Sequence, residues 1–428
     1  MLKVTCAASS RGRHGGVFLA ANRVVTGLDV GSAKICALVA EIGPTGEYRI
    51  LGTGVAPSKG IRRGMVVDLD KCSRSIAMAV DRAQQMSGRP VHEVYVAISG
   101  DHIKSLNNHG VVTVSDLEGE ITEDDVARAL EAAGLIQLEP GREVLHTATK
   151  QFIVDNYEGI LDPVGLVGKR LEVEVHIVTA ATAALENLIR AVNRAGLTIE
   201  DIILSSLASA AAILFEAERE LGVVIADVGG GTTDLAVFKE GSLIDTAVLP
   251  LGGGHITSDL AYGLGTPLGH AEKVKHEVAV ALATLCSEKQ SVTVPTVGGQ
   301  AEKSYECKYV AEIVEPRVQE ILGLIDQHIS LFSSWNLLPG GLVVTGGGSC
   351  LRGMAEIVER DLGVAVRIGI PQEVDGFDDI IGHPAFATAV GLVSLAARDS
   401  NTSDRRDGGD GILQAAVNRL KSLLGDFI

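Results

Sequence analysis

The chain has 428 residues, a hydrophobic fraction of 46%, a charged fraction of 21% and a net charge of −17, so it exceeds one compact core and points to two or more domains. The acidic balance leaves no basic footprint for nucleic acid, and no run of about 18 or more apolar residues exists that could span a bilayer as a helix. Six scattered cysteines without a CxxC pair argue against a disulfide scaffold or zinc site and suit a reducing compartment.

Residues 1–23 carry Lys3, Arg11, Arg13 and Arg23 and no acid. Organelle transit peptides share that composition; a short disordered leader is expected. Residues 24–42 place two β-branched runs around Gly31-Ser32-Ala33-Lys34, which predicts a hairpin. A helix follows over 69–86. Between 91 and 177 the texture changes: VYVAISG, GVVTVSD and RLEVEVHIV read as strands. TEDDVARALEAAG reads as a helix opening on Thr122-x-x-Asp125, a capping-box pattern. This region is expected to be a small α/β module inserted into a larger fold. An amphipathic helix over 182–195 ends at Gly196. A second hairpin, VVIADVGGGTTDLAVF, covers 223–238. A helix around 270–285 and a polar loop over 287–304 come next, then a helix over 308–332. LVVTGGGSCLRGMAEIV gives a strand, a glycine turn and a helix over 342–358, and a helix over 384–398 closes the core. Residues 399–410, DSNTSDRRDGGD, lack periodicity and predict a flexible linker.

The two hairpins match. Asp29 and Asp227 each end an apolar strand directly before a glycine turn, about 200 residues apart, which implies two similar domains facing one another. Turn N–H groups form anion-binding nests, and glycine lets the backbone approach closely. Two such turns can clamp a polyphosphate. The two aspartates would hold Mg²⁺ through waters, because Mg²⁺ dehydrates reluctantly. Ser32, Thr232, Thr233 and Lys34 add donors. A third turn, Gly346-Gly347-Gly348, leads toward a helix, a pattern that supports nucleotides. Neither a Walker A sequence nor a complete GxGxxG occurs. From spacing alone, the alternative for Glu272 and Lys275 is a solvated helix surface pair.

The set LDVGSAK, ADVGGGTTD and LVVTGGGSCLRGM resembles the phosphate-1, phosphate-2 and adenosine elements of the actin/Hsp70/sugar-kinase superfamily. GREVLHTATKQFIVDNYEGILDPVGLVGKRLEVEVHIVTA, PLGGGHITSDLAYGLGTPLGHAEKVK and VAEIVEPRVQEI further resemble FtsA, the actin-like bacterial cell-division protein. The resemblance spans about residues 23–398. It implies an α/β, actin-like ATPase fold: two duplicated domains around a nucleotide cleft, with an inserted small α/β subdomain. The implied division is 24–90, 178–208 and 385–398 as subdomain 1A; 91–177 as 1C; 209–252 and 318–384 as 2A; and 253–317 as 2B. It implies ATP with Mg²⁺ on Asp29 and Asp227. Gly31, Ser32 and Lys34 form the first phosphate loop, Gly229, Gly230, Gly231, Thr232 and Thr233 the second. Glu272, Lys275, Gly347, Gly348 and Met354 contact adenosine. Implied partners are FtsZ, other division proteins, further copies in a filament and, through the C-terminal helix, the cytoplasmic face of the inner membrane at the division site.

Two departures stand out. Related proteins often carry Glu-Pro or Gln-Pro where this chain has Ser205-Ser206. Serine is a weak base, so slow hydrolysis of bound ATP is expected. At the C-terminus, Ile412, Leu413, Ala416, Val417, Leu420, Leu423, Leu424, Phe427 and Ile428 line one face of an 18-residue periodic segment, 411–428, about 27 Å long as a helix. FtsA proteins end in a membrane-targeting helix, and the resemblance assigns this one that role. Asp426 and the terminal carboxylate offset Arg419 and Lys421, so apolar insertion would drive binding, made firm by polymer avidity. Packing on the chain's own core, or a short coiled coil, is the alternative for this helix. A pilus-assembly ATPase and a soluble small-molecule phosphotransferase are the alternatives for the whole chain.

Overall fold

The computed structural model describes residues 22–402 except 45, 288–289, 299–300, 373–374 and 377–380. The expected leader and the terminal helix bearing Ile412, Leu413, Val417, Leu420, Leu424 and Phe427 lie outside the described residues.

The first half begins with β1 (Arg23–Val30), β2 (Lys34–Ile42) and β3 (Tyr48–Pro57), a meander. A small clip, β4 (Ile61–Arg62) with β5 (Met65–Val66), leads to α1 (Leu69–Ser87) and β6 (Glu93–Ile98). Asp68 caps α1 on the Lys71 N–H, and Gly88 ends it in the left-handed region. The insert then supplies β7 (Lys104–Thr113), α2 (Glu123–Gly134), β8 (Arg142–Val154), β9 (Tyr157–Ile160) and β10 (Arg170–Ala181). The chain returns through α3 (Thr182–Arg194), β11 (Thr198–Leu204), α4 (Ser205–Ile213) and α5 (Glu216–Leu221).

The second half repeats the scheme. A meander of β12 (Val223–Val228), β13 (Thr233–Lys239) and β14 (Ser242–Leu249) comes first. Then come α6 (Gly253–Leu264), α7 (Leu268–Glu277), the hairpin β15 (Ser291–Pro295) and β16 (Glu302–Glu306), and α8 (Cys307–Ser330). It ends with β17 (Leu342–Thr345), α9 (Met354–Leu362), β18 (Val366–Ile368) and α10 (Ala387–Thr402).

The duplication is visible in the strand order. One sheet runs β11-β6-β1-β2-β3 and the other β14-β13-β12-β17-β18. In each, the central strand pairs antiparallel with the next strand and parallel with a later one. The central strands β2, β6, β12, β13 and β17 are buried on both faces, hence their continuous apolar runs. Val223 and Ile225 of β12 join the first half's core, whereas Val224, Ala226 and Val228 face the second core. Helix α4, built of small residues, packs on α10 and also touches β12 and β13. The two halves therefore share hydrophobic core, and the expected border at 208/209 falls inside α4.

Five further expectations change. VYVAISG was assigned to the insert, but β6 is a central strand of the first sheet, between β1 and β11. Its uniform burial marks it as such, whereas the insert's own sheet, β7-β10-β8-β9, is antiparallel with α2 on one face. The polar stretch 287–304 is not a plain loop; it contributes β15 and the start of β16. Helix α7 stops at Glu277, and the buried segment 278–282 continues as irregular chain. Cys286 and Cys307 form a disulfide across 21 residues, against the expectation of unpaired thiols. The last helix runs to Thr402, into the first residues expected as linker. The capping box on α2 stands: Thr122 and Asp125 bond reciprocally.

Candidate functional site

The C-terminal ends of β1 and β12 open onto a cleft of about 1160 Å³ between the two halves. Asp29, Gly31, Ser32, Lys34, Asp227, Gly229, Gly230, Gly231, Thr232, Glu272, Lys275, Gly347 and Gly348 all line it. The two turns face each other at close range: a Cβ on Gly230 would lie 2.6 Å from that of Ala33. The Gly229 and Gly230 carbonyls accept the N–H groups of Gly253 and Gly254 at the start of α6, at 2.9 and 2.8 Å. In a planar trans peptide the next N–H points the opposite way. The Gly230 and Gly231 amides are thereby turned from α6, an anion nest. Across the cleft, the Ser32 hydroxyl accepts the Gly64 N–H at 2.9 Å.

Carboxylates dominate the floor. Burial pushes Asp29 up to about 6; Lys34 opposes the rise and Asp227 adds to it. Burial also raises Asp227, although Ser209 and Thr388 hydroxyls donate to it. A half-buried and a buried carboxyl that each lose solvation suit a divalent cation, so both residues fit Mg²⁺. No cluster of three or more His, Cys, Asp or Glu with metal-holding geometry exists among the described residues. The remaining coordination would be water and phosphate, as Mg²⁺ prefers.

A smaller pocket, about 140 Å³, extends the cleft between α7, the segment after it and the Gly347–Cys350 turn. Lys275 bonds Glu272 at 2.8 Å, Thr257 Oγ1 at 3.0 Å and the Gly253 carbonyl at 3.2 Å. Burial pushes the Glu272 carboxyl up, but hydrogen bonds from Lys275 and Thr257 outweigh it and hold the carboxyl low. The Glu272–Lys275 pair is thus a built wall of the cleft rather than a solvated surface pair. Gly346 explains its own identity: at φ 79° its Cβ would meet Asp227 Oδ1 at 2.2 Å.

Two expected residues are elsewhere. Thr233 is fully buried and donates to the Leu251 carbonyl at 2.8 Å. Met354 is 4% exposed in the second core. Lys34 lines the cleft, but its ammonium is held by the Ala385 carbonyl and sits 4.1 Å over the Phe386 ring.

The sequence reading missed Asp234, Ser99, Thr388, Cys350 and His383, all cleft-lining. Burial pushes Asp234 up to about 7, against hydrogen bonds from Ser99 and Thr232 and with the charge of Asp227 adding to the rise. Alternation along β13 puts Asp234 two residues from Thr232 on one face, a signal that could have found it. Ser205 lines the cleft with its hydroxyl donated to Ile98; Ser206 is fully buried and its hydroxyl has no partner among the described residues.

Duplicated sheets, a shared cleft between paired Asp-Gly turns and an inserted α/β module define an actin-like protein. Solved structures agree on the fold. A PilM–PilN type IV pilus biogenesis complex superposes with TM-score 0.63 at 19% identity, covering 87% of this chain and 98% of that one. MreB5 of Spiroplasma citri bound to ADP gives 0.54 at 13%, covering 90% and 99%.

The sequence comparisons are more specific. A family model, cell division protein FtsA, matches residues 224–391, and a second, the SHS2 domain inserted in FtsA, matches 100–179. The second match begins past β6, as the sheet topology requires. FtsA of Pseudomonas aeruginosa is 41% identical over 371 residues, covering 87% of this chain and 88% of the relative. FtsA of Escherichia coli K12 is 38% identical over 378 residues, covering 87% and 90%. This chain belongs to the FtsA family of cell-division proteins.

Proposed function

We propose that this protein binds Mg²⁺-ATP in the cleft, polymerises and tethers FtsZ filaments to the cytoplasmic face of the cell membrane at the division site. The observation that carries the nucleotide half is the opposed pair of glycine turns over the carboxyls of Asp29 and Asp227. Gly31 and Ser32 on one side, and Gly229, Gly230, Gly231 and Thr232 on the other, would hold the phosphates. Lys275, Gly347 and Gly348 of the smaller pocket, with Glu272 of the adjoining cleft wall, would hold the nucleoside. Mg²⁺ on Asp29 and Asp227 would supply charge neutralisation for the polyphosphate. Because the two turns belong to different halves, a bound polyphosphate links them and favours a closed cleft, the state offered for assembly.

Hydrolysis would be slow. Ser205 and Ser206 supply no base, and both oxygens of Asp234 already accept hydroxyl hydrogen bonds. Multiple-turnover ATPase above about 1 s⁻¹, the low end of usual enzyme rates, refutes this. Partner and membrane roles rest on family membership and on the apolar periodicity of residues 411–428. The experiment is vesicle co-pelleting of the full chain and of a chain ending at Thr402, with and without Mg²⁺-ATP, followed by FtsZ recruitment. Binding that needs the tail and strengthens with ATP is expected. No vesicle binding in any condition removes the membrane half. A soluble phosphotransferase then becomes the competing role.

A further inference from the structure

We propose that Ser58 and Lys59 form a third phosphate-binding element that reads the terminal phosphate of a nucleoside triphosphate and so distinguishes ATP from ADP. The inference rests on the nucleotide reading above and deepens it.

Among the basic side chains lining the cleft, Lys34 is held by Ala385 and Phe386, and Lys275 by Glu272, Thr257 and Gly253. Lys59 also lines the cleft, is exposed, and has no hydrogen-bond or ion-pair partner among the described residues. Beside it, the Ser58 hydroxyl is buried, lines the same cleft and has no partner among the described residues. A buried hydroxyl left unpaired is costly and uncommon in native proteins. An unpaired hydroxyl and an unpaired ammonium on successive residues lining one cleft call for a ligand with anionic oxygens. An ammonium contributes there as a point charge and a donor.

The position selects the terminal phosphate. The Ser58 N–H donates to the Ala33 carbonyl at 3.1 Å, which anchors this segment directly on the first phosphate turn. Gly60, at φ 81°, then bends the chain into the β4–β5 clip, and its carbonyl accepts the Val67 N–H at 2.8 Å. The clip returns Gly64 to Ser32. The smaller pocket is lined only by second-half residues from Gly253 to Arg352. Ser58 and Lys59 have no part in it, and so serve the end of the ligand remote from the base. A phosphate held there would touch Lys59 of one half and the Gly230 and Gly231 amides of the other. Its loss would free the halves, which gives the cleft a means of sensing whether the third phosphate is present.

The test is calorimetric titration of the full chain, with Mg²⁺, using ADP and the non-hydrolysable β,γ-imido analogue of ATP. The wild-type chain is expected to bind the triphosphate more tightly. Lys59→Met, which keeps the apolar stem, should lose roughly ten- to hundredfold of triphosphate affinity, the usual worth of a charge-assisted hydrogen bond. ADP affinity should stay within about twofold, and this also reports that the variant is folded. Ser58→Ala should lose roughly threefold for the triphosphate alone, and Lys59→Arg should keep the preference. Equal losses for both nucleotides, or no loss for either, overturn the proposal while leaving the cleft a nucleotide site. A wild-type chain that binds neither nucleotide overturns the nucleotide reading and this inference with it.

Discussion

His146 makes the fold acid-sensitive in a way that can be calculated. The ring is 6% exposed, and its Nε2 accepts the backbone N–H of Leu204 at 3.0 Å. An acceptor nitrogen carries no proton, so the hydrogen sits on Nδ1. Protonation would set a second N–H against that of Leu204. Burial lowers the pKa from 6.5 to about 4. The folded state thus favours neutral imidazole. The stability contribution is complete above pH 6.5 and is lost as pH falls from there toward 4. At pH 5.5 the loss is about 1 kcal/mol, and below both values about 3 kcal/mol. The assay is urea unfolding of the wild type and His146→Gln at pH 7.5 and 5.5. Glutamine keeps an acceptor oxygen for Leu204 and cannot titrate. The wild type should lose about 1 kcal/mol more than the variant between the two conditions. Parallel losses would refute the assignment of a buried neutral acceptor.

Gly230→Ala would push its Cβ into Ala33 and hold the phosphate turns apart; nucleotide affinity should fall at least about tenfold with the melting temperature nearly unchanged, and calorimetric titration checks both. Asp29→Asn removes a half-buried charge that the fold disfavours, so the nucleotide-free chain should gain about 1 kcal/mol while Mg²⁺ no longer strengthens nucleotide binding; a less stable variant in thermal unfolding without Mg²⁺ contradicts this. Gly391→Ala would set a Cβ 1.7 Å from the Ala208 carbonyl oxygen, and the clash between α10 and α4 should cost about 3 kcal/mol, measured as a lower urea midpoint.

The hairpins at Asp29 and Asp227 were legible because each joins two largely buried, β-branched strands through a glycine turn. Their equivalence predicted the cleft before any contact was known. The errors have physical causes. β6 carries a buried apolar run that looks the same in a central parallel strand and in a small module; only its pairing with β1 decides. Thr232 and Thr233 are chemically equal, but adjacent strand residues face opposite sides, so one reaches the cleft and the other the core. Met354 follows the third glycine turn at the distance expected of a ligand contact, yet it starts α9 and points into packing. Cys286 and Cys307 are brought together by α8 folding back on the irregular segment after α7, which no local spacing announces.

The smallest side chains in the chain have been set at its axle. Helix α4, SSLASAAAI, lies against α10 where Gly391 admits the Ala208 backbone, and the same helix touches the second sheet. Short side chains let the two backbones touch, and a joint packed this closely moves between set positions rather than bending continuously. Because the halves share hydrophobic core at this pivot, cleft opening would turn about it without parting them there. The angle would be set by whatever grips the two rims, so chemistry in the cleft can act as the clutch for the whole molecule.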